Sequence, residues 1–265
     1  MMIEKNNLWN EKVGLSKETP TITAYFPSEK KSDSAIVIFP GGAYAARANH
    51  EGEEYAKFLT ENGYIAFVVD YRVSPHRFPL PLLDARRAIR FVRFYSPKYG
   101  IDKNKIGVMG SSAGGHLAAL SSTYFNPIEF EGVDEIDKED FIPNFQILCY
   151  PVISLFGNGL THINSVKNLL GDMALEKCEE LSPNLMANEK TPPAFIWHTF
   201  ADGVVNVKNS LFYTSKLKDL DIKAELHIFP DGEHGMGLSK GESKERIYVS
   251  QWRTLFLKWL EYMEI

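Results

Sequence analysis

The sequence predicts a layered α/β fold with a mostly parallel central sheet, and three observations predict it. Short runs rich in apolar and aromatic residues recur at 35–39, 65–69, 106–109, 145–150, 194–198 and 224–229, and those at 35–39, 65–69 and 106–109 read as buried strands. Stretches with an apolar stripe at helical spacing separate most of these runs, and a helix between two strands means a crossover and therefore parallel pairing. A chain of 265 residues with 44% apolar content builds the core of one large domain, so 1–265 is read as a single unit.

The elements follow in order. Residues 1–20 are polar and end in Thr-Pro, a lead-in. Residues 21–25 alternate weakly and read as an edge strand before the turn Pro27-Ser-Glu-Lys-Lys-Ser-Asp33. The run 35–39 is a central strand that enters Pro40-Gly-Gly-Ala43 directly. Tyr55, Ala56, Phe58 and Leu59 mark a helix over 51–62 that Asn62-Gly63 closes, and 65–69 is the next buried strand. After the proline-rich loop 74–81, Leu82, Ala85, Ile89, Val92 and Tyr95 share one helical stripe. A strand at 106–109, a helix over 112–122 and a strand at 145–150 continue the alternation. The acidic tract 129–140 reads as a solvated loop. Residues 155–191 break the rhythm with short helices at 164–170 and 174–181, read as a small cap inserted over the strand ends. The alternation resumes with 194–198, a helix over 207–220 and 224–229. A closing helix over 247–263 puts Tyr248, Trp252, Leu255, Phe256, Trp259, Leu260 and Met263 on one face.

Composition narrows the function classes. A net charge of -5 with no Lys/Arg block gives no surface for nucleic acid. Cys149 and Cys178 lack paired spacing, so neither a disulfide framework nor a zinc site is expected. The first residues lack the apolar stretch of a signal peptide and no run approaches a membrane span, which predicts a cytoplasmic protein with no membrane partner.

The chemistry centres on Gly110-Ser-Ser-Ala-Gly114. Ser112 falls on the turn between a strand and a helix, with glycine two residues to either side. One glycine lets the backbone bend sharply, and the other lets helix and strand approach closely. Such a turn holds the hydroxyl clear of the backbone at a helix N-terminus, whose dipole favours developing negative charge. Ser111 lacks the flanking glycines. A Walker loop needs a lysine before the Ser or Thr, and a dinucleotide fold needs Gly-x-Gly-x-x-Gly; neither is present.

A serine hydroxyl needs a base, and the base an orienting acid, on loops that follow strand C-termini. That rule prunes the seven histidines. His198 and His227 lie inside strands and His162 in the cap, places for core or surface residues. His116 lies one turn after Ser112, where it packs or buttresses. His76 lines the proline-rich loop, and His50 opens His50-Glu-Gly-Glu53, which caps the next helix or shapes the site. His234 remains, in the glycine-bearing loop Pro230-Asp-Gly-Glu-His-Gly-Met-Gly237 after the last strand. Asp202, four residues past His198, is the orienting acid, with Glu233 a substitute. Asp70 precedes Ser112 and is read as structural, paired with Arg72 or Arg86. The oxyanion donors are the N–H groups of Ala113 and of Gly42 and Ala43, with Gly41 permitting the turn. Tyr44, His76 and Phe156 are candidates for the pocket wall.

The order Ser112, Asp202, His234 resembles the α/β-hydrolase superfamily. Within it the sequence is most similar to acetylxylan-esterase-like and hormone-sensitive-lipase-like esterases. The resemblance covers about residues 34–263 and rests on Phe39-Pro-Gly-Gly-Ala-Tyr44, His50-Glu-Gly-Glu53, Val69-Asp-Tyr-Arg72, Gly107-Val-Met-Gly-Ser-Ser-Ala-Gly-Gly-His116, Trp197-His-Thr-Phe-Ala-Asp202 and Glu233-His-Gly235. It implies an esterase without metal or organic cofactor that removes short acyl groups from sugars. The implied partner is a small-molecule ester, acetylated oligosaccharides among the candidates; a homodimer is a separate expectation that the resemblance does not supply. Two departures stand out. Ala43 replaces the third glycine of many relatives, leaving an N–H donor if its dihedral is ordinary, and Gly203-Val-Val-Asn-Val207 lacks a proline that relatives often show. Some relatives carry xylanase names, which the triad does not support, since glycosidases commonly use a carboxylate pair. Two rivals remain: an amide-directed hydrolase on the same fold, a peptidase or an arylformamidase, and a binding protein that has kept the fold.

Overall fold

The computed structural model describes residues 1–9, 19–129, 134–157, 159–171 and 177–265. In chain order the strands and helices are β1 (Met2–Asn7), β2 (Thr21–Phe26), β3 (Ala35–Phe39), α1 (Glu53–Glu61), β4 (Ile65–Asp70), α2 (Leu80–Phe94), α3 (Ser96–Tyr99), β5 (Ile106–Ser111), α4 (Ser112–Ser121), β6 (Phe145–Cys149), α5 (Ile163–Leu170), α6 (Pro183–Met186), β7 (Ala194–Thr199), α7 (Lys208–Asp219), β8 (Ala224–Phe229), α8 (Lys244–Val249) and α9 (Trp252–Tyr262). Among the described residues eight strands form one sheet in the order β1-β2-β4-β3-β5-β6-β7-β8, antiparallel at β1-β2-β4 and parallel elsewhere. The chain winds from β3 outward to β4 and from β5 outward to β8. The reversal falls between neighbouring β3 and β5, and the C-terminal ends of those strands open the crevice where open α/β sheets bind ligands.

Side chains alternate between two cores. Ala35, Val37 and Phe39 point with Val108, Leu148 and Ile196 into the core closed by α2, α4 and α7. Ile36 and Ile38 point with Met109, Ile147 and Trp197 into the core closed by α1 and α9. Every residue of α4 is buried, so that helix is the central support of the crevice rather than a surface helix.

Four sequence expectations need correction. The lead-in contains β1, a polar outer strand that displaces β2 from the edge; Lys5 and Asn6 suit a sheet margin that must not recruit another chain. Residues 10–18 lie outside the described set. The acidic tract is not simply solvated: Asp134 and Asp137 pair with Arg87 of α2 at 2.6 and 2.8 Å, and Asp137 is buried, while 130–133 are not described. The closing helix is two helices, parted where the Ser250 hydroxyl donates to the Ile247 carbonyl, and Tyr248 is exposed rather than on the buried face. Asp70 meets Arg47, Lys5 and Thr21, whereas Arg72 pairs with Asp84, which also accepts from Trp9. Of the helix expected over 174–181, residues 174–176 lie outside the described set.

Candidate active site

Ser112 sits at the first position of α4 with φ +54°, a left-handed conformation that a serine adopts only when its surroundings force it. The glycines do the forcing. A Cβ on Gly110 would lie 2.1 Å from the Gly114 carbonyl oxygen, and one on Gly114 would lie 2.0 Å from that of Phe39. Strand, helix and the end of β3 are therefore in backbone contact, and Ser112, only 6% exposed, is held at their junction.

His234 reaches the serine from the loop after β8. Its Nε2 lies 2.8 Å from Ser112 Oγ and accepts the hydroxyl proton, while Nδ1 donates to Asp202 Oδ2 at 2.6 Å. The ring is also held edge-on by Tyr150, with centroids 5.1 Å apart. Asp202, on the loop after β7, accepts the N–H groups of Val204 and Val205 on Oδ1 at 2.8 and 2.9 Å. His198 Nε2 lies 3.2 Å from Oδ2 and 3.0 Å from the Val205 carbonyl oxygen. A carbonyl only accepts, so that nitrogen carries the proton and donates to both, and Nδ1 accepts from Ser210 at 2.8 Å. Burial works to raise the Asp202 carboxyl, but hydrogen bonds from His198 and His234 outweigh it and hold the group well below the usual carboxylate range.

The loop after β3 crosses beside the serine. A Cβ on Gly41 would come within 3.2 Å of Ser112 Cβ. Gly42 has φ +127°, and its carbonyl accepts the N–H groups of Ala45 and Ala46, closing a tight turn. That turn drives Ala43 to φ +55°, so its dihedral is not the ordinary one expected of a residue with a Cβ. The Ala43 carbonyl accepts from Asn168 of α5 at 2.9 Å. Ala113 lies at the first turn of α4, where helix N–H groups have no partner within the helix.

Tyr44 is not a pocket wall. It is fully buried at φ +56°, and its hydroxyl donates to His116 Nδ1 at 2.7 Å. His116 in turn donates from Nε2 to the Leu181 carbonyl at 2.8 Å, and burial lowers its pKa to about 4. The pair ties the β3 loop to α4 and to the segment after α5. His76 and Phe156 are half-buried: the first has Nδ1 3.3 Å from the Val73 carbonyl, the second packs on the core edge. His162 contacts Ser165 at 2.8 Å. A groove of about 570 Å³ lined by Lys30, Lys105 and Glu261 contains none of these residues.

Sequence reasoning passed over three residues. His198 reads in the sequence as a core or surface histidine, and its spacing of four residues before Asp202 is the available signal. Tyr150 gave none beyond ending a strand run. Glu51 stood inside the His50-Glu-Gly-Glu53 motif, yet it is 3% exposed, which a polar stretch does not announce. Its carboxyl accepts from the Gly41 N–H and from Tyr150.

A BD-FAE family profile matches residues 22–217. An endo-1,4-β-xylanase B of Butyrivibrio fibrisolvens is 32% identical over 247 residues, 90% of this chain and 38% of that protein. An acetylxylan esterase of Xylanibacter ruminicola is 33% identical over 231 residues, 85% of this chain and 45% of that protein. The chain thus spans less than half the length of these curated relatives. The crystal structure of an acetyl ester-xyloside bifunctional hydrolase from Caldicellulosiruptor lactoaceticus superposes with TM-score 0.90 at 41% identity, covering 98% of this chain and 96% of that one. With its sheet order, its strand-to-helix serine and these likenesses, the chain has the α/β-hydrolase fold and belongs to the BD-FAE family.

Proposed function

We propose that this chain is a serine esterase that removes short acyl groups, acetyl foremost, from acetylated xylo-saccharides. The observation that carries the reading is the unbroken hydrogen-bonded chain from Ser112 through His234 to Asp202. As Ser112 Oγ bonds to the ester carbonyl carbon, its proton passes to His234 Nε2, and Asp202 holds the imidazolium. The carbonyl oxygen takes the negative charge and accepts from the N–H groups of Gly42, Ala43 and Ala113, with Ala43 donating from its left-handed conformation rather than from the ordinary one expected. Each such donor contributes roughly 3 kcal/mol to the transition state. The C–O bond then breaks, the leaving alkoxide takes the proton from His234, and the acyl group stays on Ser112. Water repeats the cycle, giving its proton to His234 and releasing the acid.

The substrate class is supported by the acetylxylan esterase and the acetyl ester-xyloside hydrolase among the similar proteins. The segment 155–191 serves as the cap, supported by the bonds of Asn168 to Ala43 and of His116 to Leu181; half-buried His76 and Phe156 line the substrate side. Glycoside cleavage calls for two carboxyl groups facing the scissile bond, whereas Asp202 and Glu51 are both engaged by protein groups. Among the described residues no helix is long and apolar enough to cross a membrane. A cytoplasmic location is part of the proposal, supported by the buried Cys149 thiol, which forms no disulfide.

The test is labelling with a fluorophosphonate and turnover of p-nitrophenyl acetate and acetylated xylo-oligosaccharides, beside N-formylkynurenine and p-nitrophenyl xyloside. The expected result is labelling of Ser112, hydrolysis of the acetyl esters alone, and loss of nearly all turnover in Ser112→Ala without loss of fold. Faster cleavage of the formamide would move the enzyme to the amide class, and an unlabelled Ser112 would remove the catalytic reading.

A further inference from the structure

We propose that Glu51 is a positioning residue that aligns the oxyanion loop with the loop carrying His234; this rests on the esterase reading. Glu51 closes the short 3-10 turn Asn49–Glu51 ahead of α1, beneath the crevice. Its Oε2 accepts the Gly41 N–H at 2.9 Å, and its Oε1 accepts the Tyr150 hydroxyl at 2.6 Å. The same turn grips Gly41 from its other side, because the Ala48 N–H donates to the Gly41 carbonyl at 2.9 Å and Glu51 N–H donates to Ala48. Gly41 is glycine for this contact: a Cβ there would lie 2.4 Å from Glu51 Oε2.

The second arm runs to the base. The Tyr150 hydroxyl accepts the Gly237 N–H at 2.9 Å, and its ring packs edge-on against His234. His50, next to Glu51, holds the same loop through the Gly235 carbonyl, 3.0 Å from its Nε2. A third arm reaches the nucleophile turn, since Tyr55 lies 3.4 Å from the Tyr150 hydroxyl and 2.9 Å from Ser111 Oγ. One carboxyl group therefore holds the oxyanion loop directly and, through Tyr150 and then Tyr55, is linked to the segments that carry the base and the serine.

The site offers Glu51 no lysine or arginine partner among the described residues; the nearest basic atom is His50 Nε2 at 3.7 Å. A buried carboxyl group without such a partner is costly, and a core built for stability alone is served better by an apolar side chain. What the carboxyl does that an apolar group does not is accept two hydrogen bonds in fixed directions at once. It sets the plane of the peptide entering Gly41, and so the direction of the next two N–H groups, while fixing Tyr150 against the imidazole.

The experiment compares wild type, Glu51→Met, Glu51→Gln and Tyr150→Phe. Active sites are titrated with the fluorophosphonate, kcat and KM are measured on p-nitrophenyl acetate, and the inhibition constant of a trifluoromethyl ketone reports on the tetrahedral state. Glu51→Met, which keeps the length and loses both acceptors, is expected to lower kcat per titrated site 10- to 100-fold with KM within about threefold. The ketone should weaken by a similar factor. Glu51→Gln, which keeps an acceptor for Gly41, should restore most of the ketone affinity. Tyr150→Phe loses one oxygen, so it remains informative should Glu51→Met not fold; it is expected to lower kcat per titrated site at least fivefold. Wild-type kcat per titrated site in the folded variants, with only the melting temperature or the titratable fraction reduced, would make Glu51 structural and overturn the proposal. A wild-type protein that neither turns over the ester nor binds the ketone overturns the esterase reading instead.

Discussion

Asp202 accepts from two histidines and two backbone N–H groups, so both oxygens have fixed directions before any substrate arrives. Asp202→Asn replaces an acceptor toward His234 Nδ1 with an amide that also donates, which misassigns the imidazole proton. The expected fall in kcat is on the order of 10⁴-fold with little change in KM, measured on p-nitrophenyl acetate. His198→Phe tests the support behind the acid. It removes a donor to Asp202 and strands the Ser210 hydroxyl and Val205 carbonyl, so chemical denaturation should show a loss of about 1–3 kcal/mol. The Asp202 and His234 positions were legible in the sequence because loops after strands are where such groups must stand. His198 was not, because a strand histidine and a site histidine look alike until the chain turns back on itself at Asp202.

At the scale of elements, the crevice depends on β3, β5 and α4 approaching until only glycine fits. Gly114→Ala would place a methyl 2.0 Å from the Phe39 carbonyl oxygen and 2.6 Å from that of Pro40, both backbone atoms that cannot swing aside. It should cost about 3 kcal/mol and much of the activity. Gly203→Ala, with nothing within 4 Å of the added Cβ, should stay within about 0.5 kcal/mol in the same unfolding assay. The spacing Gly110-x-Ser112-x-Gly114 announced a turn of this kind. Central β3 and edge β8 are legible to the residue because a proline follows each, while the polar β1 reads as a lead-in. Its signal lies in backbone pairing with β2, which no side-chain pattern encodes.

Across the molecule, His116 joins the oxyanion loop, α4 and the segment after α5 through Tyr44 and Leu181. Burial lowers its pKa to about 4 from the ordinary 6.5, so the fold holds the neutral ring. Between those two values the unfolded chain binds the proton and the folded protein does not. The contribution is therefore fully present above pH 6.5 and is lost as the pH falls toward 4, on the order of 3 kcal/mol in all. Unfolding midpoints measured from pH 7 to 4 should drop less steeply in His116→Gln than in wild type.

The sequence by itself determined the α/β layering, the strand-loop positions of Ser112, Asp202 and His234, and the glycine turn beside them. Those are properties of local periodicity and of residues that punctuate it. Only the tertiary structure decided that Glu51, Tyr150 and His198 support that site, that Tyr44 is buried against His116, and that the acidic tract pairs with α2. A polar side chain's role is set by which donors and acceptors meet it after burial. Those partners come from distant segments, as when Glu51 meets Tyr150 from 99 residues away.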